Sequence, residues 1–152
     1  MTIQFTGSFD IKNNMEGTRN FLLNPDKVAP CIKNLTDFTK NQDGTFDVKF
    51  KIELSSDTDG GYLNMINAKM KFILKDGDEI TLSGSGRAVG SRISVSIIIK
   101  PVKIDENNTK IEWRSTIDAG LILKAIGNDK FEKIANKIIE DIISNVAERC
   151  NL

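Results

Sequence analysis

Histidine is missing altogether from this chain of 152 residues. With it goes the side chain that most often serves as general base and as nitrogen ligand to a metal. Relays of the Ser/His/Asp or Cys/His kind are excluded with it. Cysteine is nearly as scarce: Cys31 and Cys150 stand far apart, without the close spacing of a zinc site. The first residues, MTIQFTGSFD, lack the basic start and apolar run of an export signal, so free thiols are expected. Tyrosine and tryptophan occur once each, as Tyr62 and Trp113. Neither charge is in excess, with 21 Lys and Arg against 21 Asp and Glu, so no global field selects nucleic acid or an anionic membrane. Apolar runs are far shorter than the ~20 residues a spanning helix needs, so no transmembrane segment is expected. The expectation is one cytoplasmic domain over residues 1–152, without a nucleic-acid partner.

What is present is clear periodicity. Ile3, Phe5, Gly7, Phe9 and Ile11 alternate with polar neighbours and predict a half-buried strand. NNMEGTRNFLL predicts a short helix capped by Asn13 or Asn14, and NPDKVAPC a second, with Asn24 as cap, Pro25 in first place and Pro30 discouraging continuation. From residue 35 to about 121 the pattern is all strand. Phe46, Val48, Phe50, Ile52 and Leu54 share one phase, as do Tyr62, Asn64, Ile66, Ala68, Met70, Phe72 and Leu74. Ile80, Leu82, Gly84, Gly86 and Ala88 form another such set, and RISVSIIIKPVKI follows. The last set is Ile111, Trp113, Ser115, Ile117 and Ala119. The joints are turn chemistry (QDG, TDGG, KDGD, GS, ENN), which makes an antiparallel meander. The C-terminal segment switches period: Phe131, Ile134, Ala135, Ile138, Ile142 and Val146 fall at helical spacing, widened by Ile139 and Ile143, with Asn128 as expected N-cap.

Three features invite a chemical reading. SGSGRAVGS looks like a phosphate-binding glycine loop, but strand follows it where such a loop needs a helix N-terminus. A strand kept thin for bending or close approach is the better account. Cys31 has no activating base beyond Lys27 and Lys33 and reads as a small core hydrophobe. Glu112, Asp118, Arg87 and Arg114 fall on outward phases, and no carboxylate pair is placed for acid–base work. Catalytic residues and cofactors are therefore not expected. A curved sheet gripped by one helix can instead leave an apolar space, with Asn64, Ser115, Met65 and Met70 as polar or adaptable lining.

The segments FTGSFDI, FLLNPDKVAPCIKNL, TKIEW and AGLILKAIGNDKFEKIANKIIEDI, in that order, resemble the carbon monoxide dehydrogenase G-subunit family. That family belongs to the SRPBCC (START and pollen-allergen-like) superfamily. Asn24-Pro25, Val28-Ala29 and Cys31-Ile32 match the family pattern, whereas Lys33-Asn34 replace its Pro-Gly and Thr18-Arg19 replace an apolar-aromatic pair. Asn34 can hold the left-handed conformation that Gly favours. The resemblance implies an α+β helix-grip fold: a curved antiparallel sheet of six or seven strands around the long C-terminal helix, with two short helices after the first strand. It also implies a non-catalytic accessory protein that binds a hydrophobic small molecule, lipid or quinone-like, in an internal cavity. Its implied protein partner is a molybdenum hydroxylase or CO dehydrogenase complex. Lining is expected from Phe9, Phe50, Ile52, Ile66, Met70, Leu82, Ile97, Trp113, Ile117, Ile134 and Ile138, with Phe21, Leu22 and Ile32 near the entrance. Two rival readings are a cyclase or aromatase, which needs an ionisable group in the cavity, and a ligand-free co-chaperone-like interaction module, which needs a filled interior.

Overall fold

A computed structural model describes residues 2–53 and 65–151. Leu54, Tyr62 and Asn64, which the periodicity assigns to strand faces, lie outside the described residues. Strand β1 (Thr2–Ile11) is followed by helices α1 (Met15–Leu22) and α2 (Pro25–Val28), which runs on as a 3₁₀ turn, Ala29–Cys31. Six strands follow: β2 (Leu35–Lys40), β3 (Thr45–Glu53), β4 (Met65–Lys75), β5 (Ile80–Ala88), β6 (Ser91–Lys103) and β7 (Thr109–Asp118). Helices α3 (Leu121–Ile126) and α4 (Asn128–Cys150) close the chain.

The seven strands form one curved antiparallel sheet in the order β1-β7-β6-β5-β4-β3-β2. The short helices carry the chain from one edge to the other, so β1 pairs with the last strand rather than the next. This is the helix-grip arrangement that the periodicities and the resemblance imply. The strand phases hold among the described residues. Phe46 and Val48 are buried while Lys49 is exposed, and Ala68, Met70 and Phe72 are buried while Lys69 and Lys71 are exposed.

The local signals hold in part. Asn14 caps α1, accepting from Gly17 N at 2.7 Å, and Asn24 caps α2, accepting from Asp26 N at 3.0 Å. Asn34 is left-handed, with φ 62°. Pro30 does not stop the turn begun by α2, because a 3₁₀ turn tolerates it near its start. The cap of α4 is Gly127, not Asn128; its φ of 85° suits a residue without a side chain, and Asn128 is already helical. The final strand stops at Asp118 and the chain turns at Gly120 into α3, a helix that the strand pattern conceals.

The β5–β6 connection is two residues long, Val89 and Gly90, since Ala88 pairs with Ser91. Both are left-handed, with φ of 51° and 73°, and such turns favour Asn-Gly. A β-branched residue there is strained, and Val89 is 71% exposed, so no burial offsets the strain. Val89→Asn is expected to stabilise the fold by about 1 kcal/mol and raise Tm by about 3 °C in calorimetry. An unchanged or lower Tm would contradict the strain.

Candidate functional site

The inner face of the sheet and α4 meet in two different ways along the helix. At its C-terminal end they are packed solid. Val146 and Cys150 join Ile11, Phe21, Leu22, Cys31, Ile80 and Ile111 in one buried cluster, with Phe9 and Trp113 packed against it. Asn13 locks this end: its amide donates to the Cys150 carbonyl at 2.8 Å, and its own carbonyl accepts from Thr109 Oγ1 at 2.9 Å. A second cluster, of Ala29, Phe46, Val48, Met70 and Phe72, fills the space under β3 and β4.

Between these two clusters lies a cavity of about 160 Å³. Its walls come from the inward phases of β3, β4, β6 and β7, from α3, and from the stretch of α4 between Phe131 and Ile142. Among the described residues that line it, only Ser115 carries a polar side chain and none is ionisable. Ser115 is 4% exposed. Leaving such a space empty costs about 4 kcal/mol at ~24 cal/mol per Å³, which a domain stable by about 5–15 kcal/mol tolerates. The cavity can therefore exist without a resident guest.

Nine of the fourteen expected lining residues border this cavity: Ile32, Phe50, Ile52, Ile66, Met70, Ile97, Ile117, Ile134 and Ile138. The other five face inward but sit elsewhere. Phe9, Phe21, Leu22 and Trp113 belong to the solid end, and Leu82 packs against the second cluster. The Trp113 ring lies over Gly7, where an added Cβ would come 2.6 Å from Cζ2. Periodicity tells which face a side chain takes, not which end of that face is filled. Ile122 and Ile126 of α3 line the cavity without having been expected there, although their i, i+4 spacing in LILKAI is a helical signal. Ile93 and Val95 on β6 are likewise additions to the expected set.

The 3₁₀ turn bearing Cys31 braces one side of the cavity. Ile32 reaches the lining, and Asn145 Nδ2 donates to the Cys31 carbonyl at 3.0 Å, fastening the turn to α4. A shallow cleft beside it shares Phe50, Ile52, Ile134 and Ile138 with the cavity. Two solvent-screened ion pairs flank that cleft, Lys33–Asp141 at 3.6 Å and Lys137–Glu53 at 4.0 Å. Cys31 itself is fully buried. Burial pushes its thiol up, the nearby Arg149 guanidinium draws it part of the way back, and Cys150 adds a smaller upward push. The Cys150 thiol is raised by burial as well, and the neighbouring Thr18 and Asn13 side chains lower it in part. Neither is a thiolate at neutral pH, so neither is an activated nucleophile.

A family model for the G subunit of carbon monoxide dehydrogenase (CoxG) matches residues 7–151. The chain belongs to the CoxG family. No curated protein matches this CoxG-family chain. Solved structures with its fold include a conserved protein from Geobacillus kaustophilus, at 14% identity and TM-score 0.80, covering 97% of this chain and 95% of that one. A START superfamily protein from Mycobacterium smegmatis is similar at 8% identity and TM-score 0.68, covering 97% and 96%. The Zhui aromatase/cyclase from Streptomyces sp. R1128 is similar at 8% identity and TM-score 0.67, covering 99% and 94%. At such identities the likeness of this CoxG-family chain to these structures is one of fold alone. Among the described residues no helix is long and apolar enough to cross a membrane.

Proposed function

We propose that this protein is a non-catalytic accessory protein that takes up a small hydrophobic molecule in the cavity between the sheet and α4. The observation that carries the reading is the cavity's lining, which among the described residues is apolar apart from the hydroxyl of Ser115. Affinity would come from burial, at about 0.8 kcal/mol per methylene removed from water. The size narrows the guest. An apolar cavity of ~150 Å³ stays dry and admits a benzene ring, so about 160 Å³ suits the ring of a quinone-like molecule rather than the whole of a long-chain lipid. Ser115 can donate one hydrogen bond to a ring carbonyl. CoxG membership supports a molybdenum-containing hydroxylase of the CO dehydrogenase type as the protein served.

One fold neighbour is an aromatase/cyclase, which keeps an enzymatic reading in view. That chemistry needs an ionisable group facing the guest, and among the described residues the only polar side chain in the lining is Ser115. The ligand-free interaction reading requires a filled interior, and the cavity argues against it.

The test is titration with 1,4-naphthoquinone and, separately, palmitate, followed by calorimetry and native mass spectrometry. Saturable one-to-one uptake of the quinone is expected, with weaker or no uptake of palmitate. Failure to bind either would overturn the reading.

A further inference from the structure

The outer face of the sheet carries an arrangement that the cavity does not explain. Lys49 on β3 stands directly opposite Lys69 on β4, Lys69 opposite Arg87 on β5, and Arg87 opposite Arg92 on β6. Four cations thus form one transverse row across four neighbouring strands, roughly 14 Å long at ~4.8 Å per strand. Like charges directly opposite one another destabilise a sheet. The chain as a whole is neutral, so the row is a local concentration and not part of a general basic character. All four side chains are exposed, and none makes an ion pair among the described residues. The one acid in register is Asp37 on the edge strand, opposite Lys49, and its carboxylate accepts from Phe38 N at 2.9 Å.

The row borders a trough of about 360 Å³, whose lining includes Lys49, Lys69, Arg87, Thr36 and Asn67 together with the apolar Phe50, Ala68, Ala88 and Val89. Its rim holds the strained, exposed Val89. Residues kept in sparsely populated backbone conformations concentrate at ligand clamps and similar functional positions. The row and the rim are independent observations, and they fall at one place.

We propose that this trough is a second binding site, for a ligand bearing several phosphate groups. Arg87 offers a planar fork that matches two phosphate oxygens, while Lys69 beside it and Lys49 one strand beyond act as point charges. A polyanion seated among them turns two repulsive cross-strand pairs, Lys49–Lys69 and Lys69–Arg87, into shared contacts. The length of the row exceeds one phosphate, which is why a multiply phosphorylated ligand fits better than a single oxyanion. A soluble polyphosphorylated compound and a phosphoinositide headgroup present the same chemistry. This site is separate from the hydrophobic cavity and stands whether or not that cavity takes a guest.

The experiment uses the whole chain in two arms. Calorimetry with inorganic tripolyphosphate reads the soluble source. Sedimentation with phosphatidylcholine vesicles, with and without phosphatidylinositol bisphosphate, reads the headgroup. The double variant Lys69→Gln, Arg87→Gln is compared with Lys130→Gln, Lys133→Gln on the exposed side of α4, which removes the same charge elsewhere. Binding is expected to weaken with salt, to fall at least tenfold in the sheet variant, and to persist in the helix variant. Removing repulsion leaves the sheet variant's Tm unchanged or higher, so misfolding does not confuse the result. Binding in the first arm alone assigns a soluble ligand, and in the second alone a headgroup. No binding in either arm, or equal loss in both variants, overturns the proposal.

Discussion

Replacing Ala135 with phenylalanine is expected to abolish guest uptake, by a hundredfold or more, while leaving the protein at least as stable as before. Ala135 is 5% exposed and faces the cavity from α4. A phenyl ring built there occupies the same hydrocarbon-walled space that the proposed guest would take. Filling void otherwise lost at ~24 cal/mol per Å³ should stabilise the fold by about 1–2 kcal/mol, which raises Tm by about 4 °C. The two readouts move in opposite directions, and that is the value of the variant. Calorimetric titration with 1,4-naphthoquinone gives the first and scanning calorimetry the second. A variant that loses several kcal/mol of stability would mean that the space is closed in solution, because overpacking a filled core costs about 1–3 kcal/mol. One that binds as well as the parent would put the guest elsewhere.

The second large effect concerns the thin strand. Gly86 on β5 pairs with Met70 on β4. A Cβ added there would overlap the Lys69 carbonyl oxygen and lie 2.7 Å from Met70 Sδ. The obstruction is backbone, which cannot rotate aside; β4 and β5 would have to part. Gly86→Ala should therefore cost about 3 kcal/mol, the upper end of overpacking penalties, with Tm lower by about 10 °C. Gly84→Ala is the informative comparison. Its Cβ would meet the Phe72 ring, a side chain able to swing, so a cost of about 1–2 kcal/mol is expected. Urea denaturation of the pair checks the ranking. Equal, small costs at both positions would show that the strands do not approach this closely.

These glycines also show how much a sequence discloses. SGSGRAVGS could be refused as a phosphate loop because strand continues through it, and its thinness is explained by what lies against it: the Phe72 ring over Gly84 and the β4 backbone over Gly86. The alternation of Phe46, Val48 and Phe50 with Asp47, Lys49 and Lys51 made the strand phases legible, because one face meets hydrocarbon and the other water. The position of the cavity was not legible. Phe9 and Ile97 obey the same alternation, yet one is packed into the solid end and the other borders open space. That difference depends on how far α4 stands from the sheet at each point, which involves residues distant along the chain. The cation row on the outer face was invisible for the same reason. Lys49, Lys69, Arg87 and Arg92 look like ordinary solvated charges until the strand register sets them side by side.

The pairing of β1 with β7 has a consequence for how the chain comes together. Thr2 faces Asp118, and Lys12 N donates to Asn151 Oδ1 at 2.9 Å. The first strand's partner begins only at Thr109, and the helix that covers the sheet only at Asn128, so neither exists until long after β1 has been made. The newborn sheet therefore waits with its oily side bare, and the native contacts join distant parts of the chain. Such topologies close on the millisecond-to-second scale, and during that interval the nascent protein depends on dilution or on a chaperone to escape aggregation.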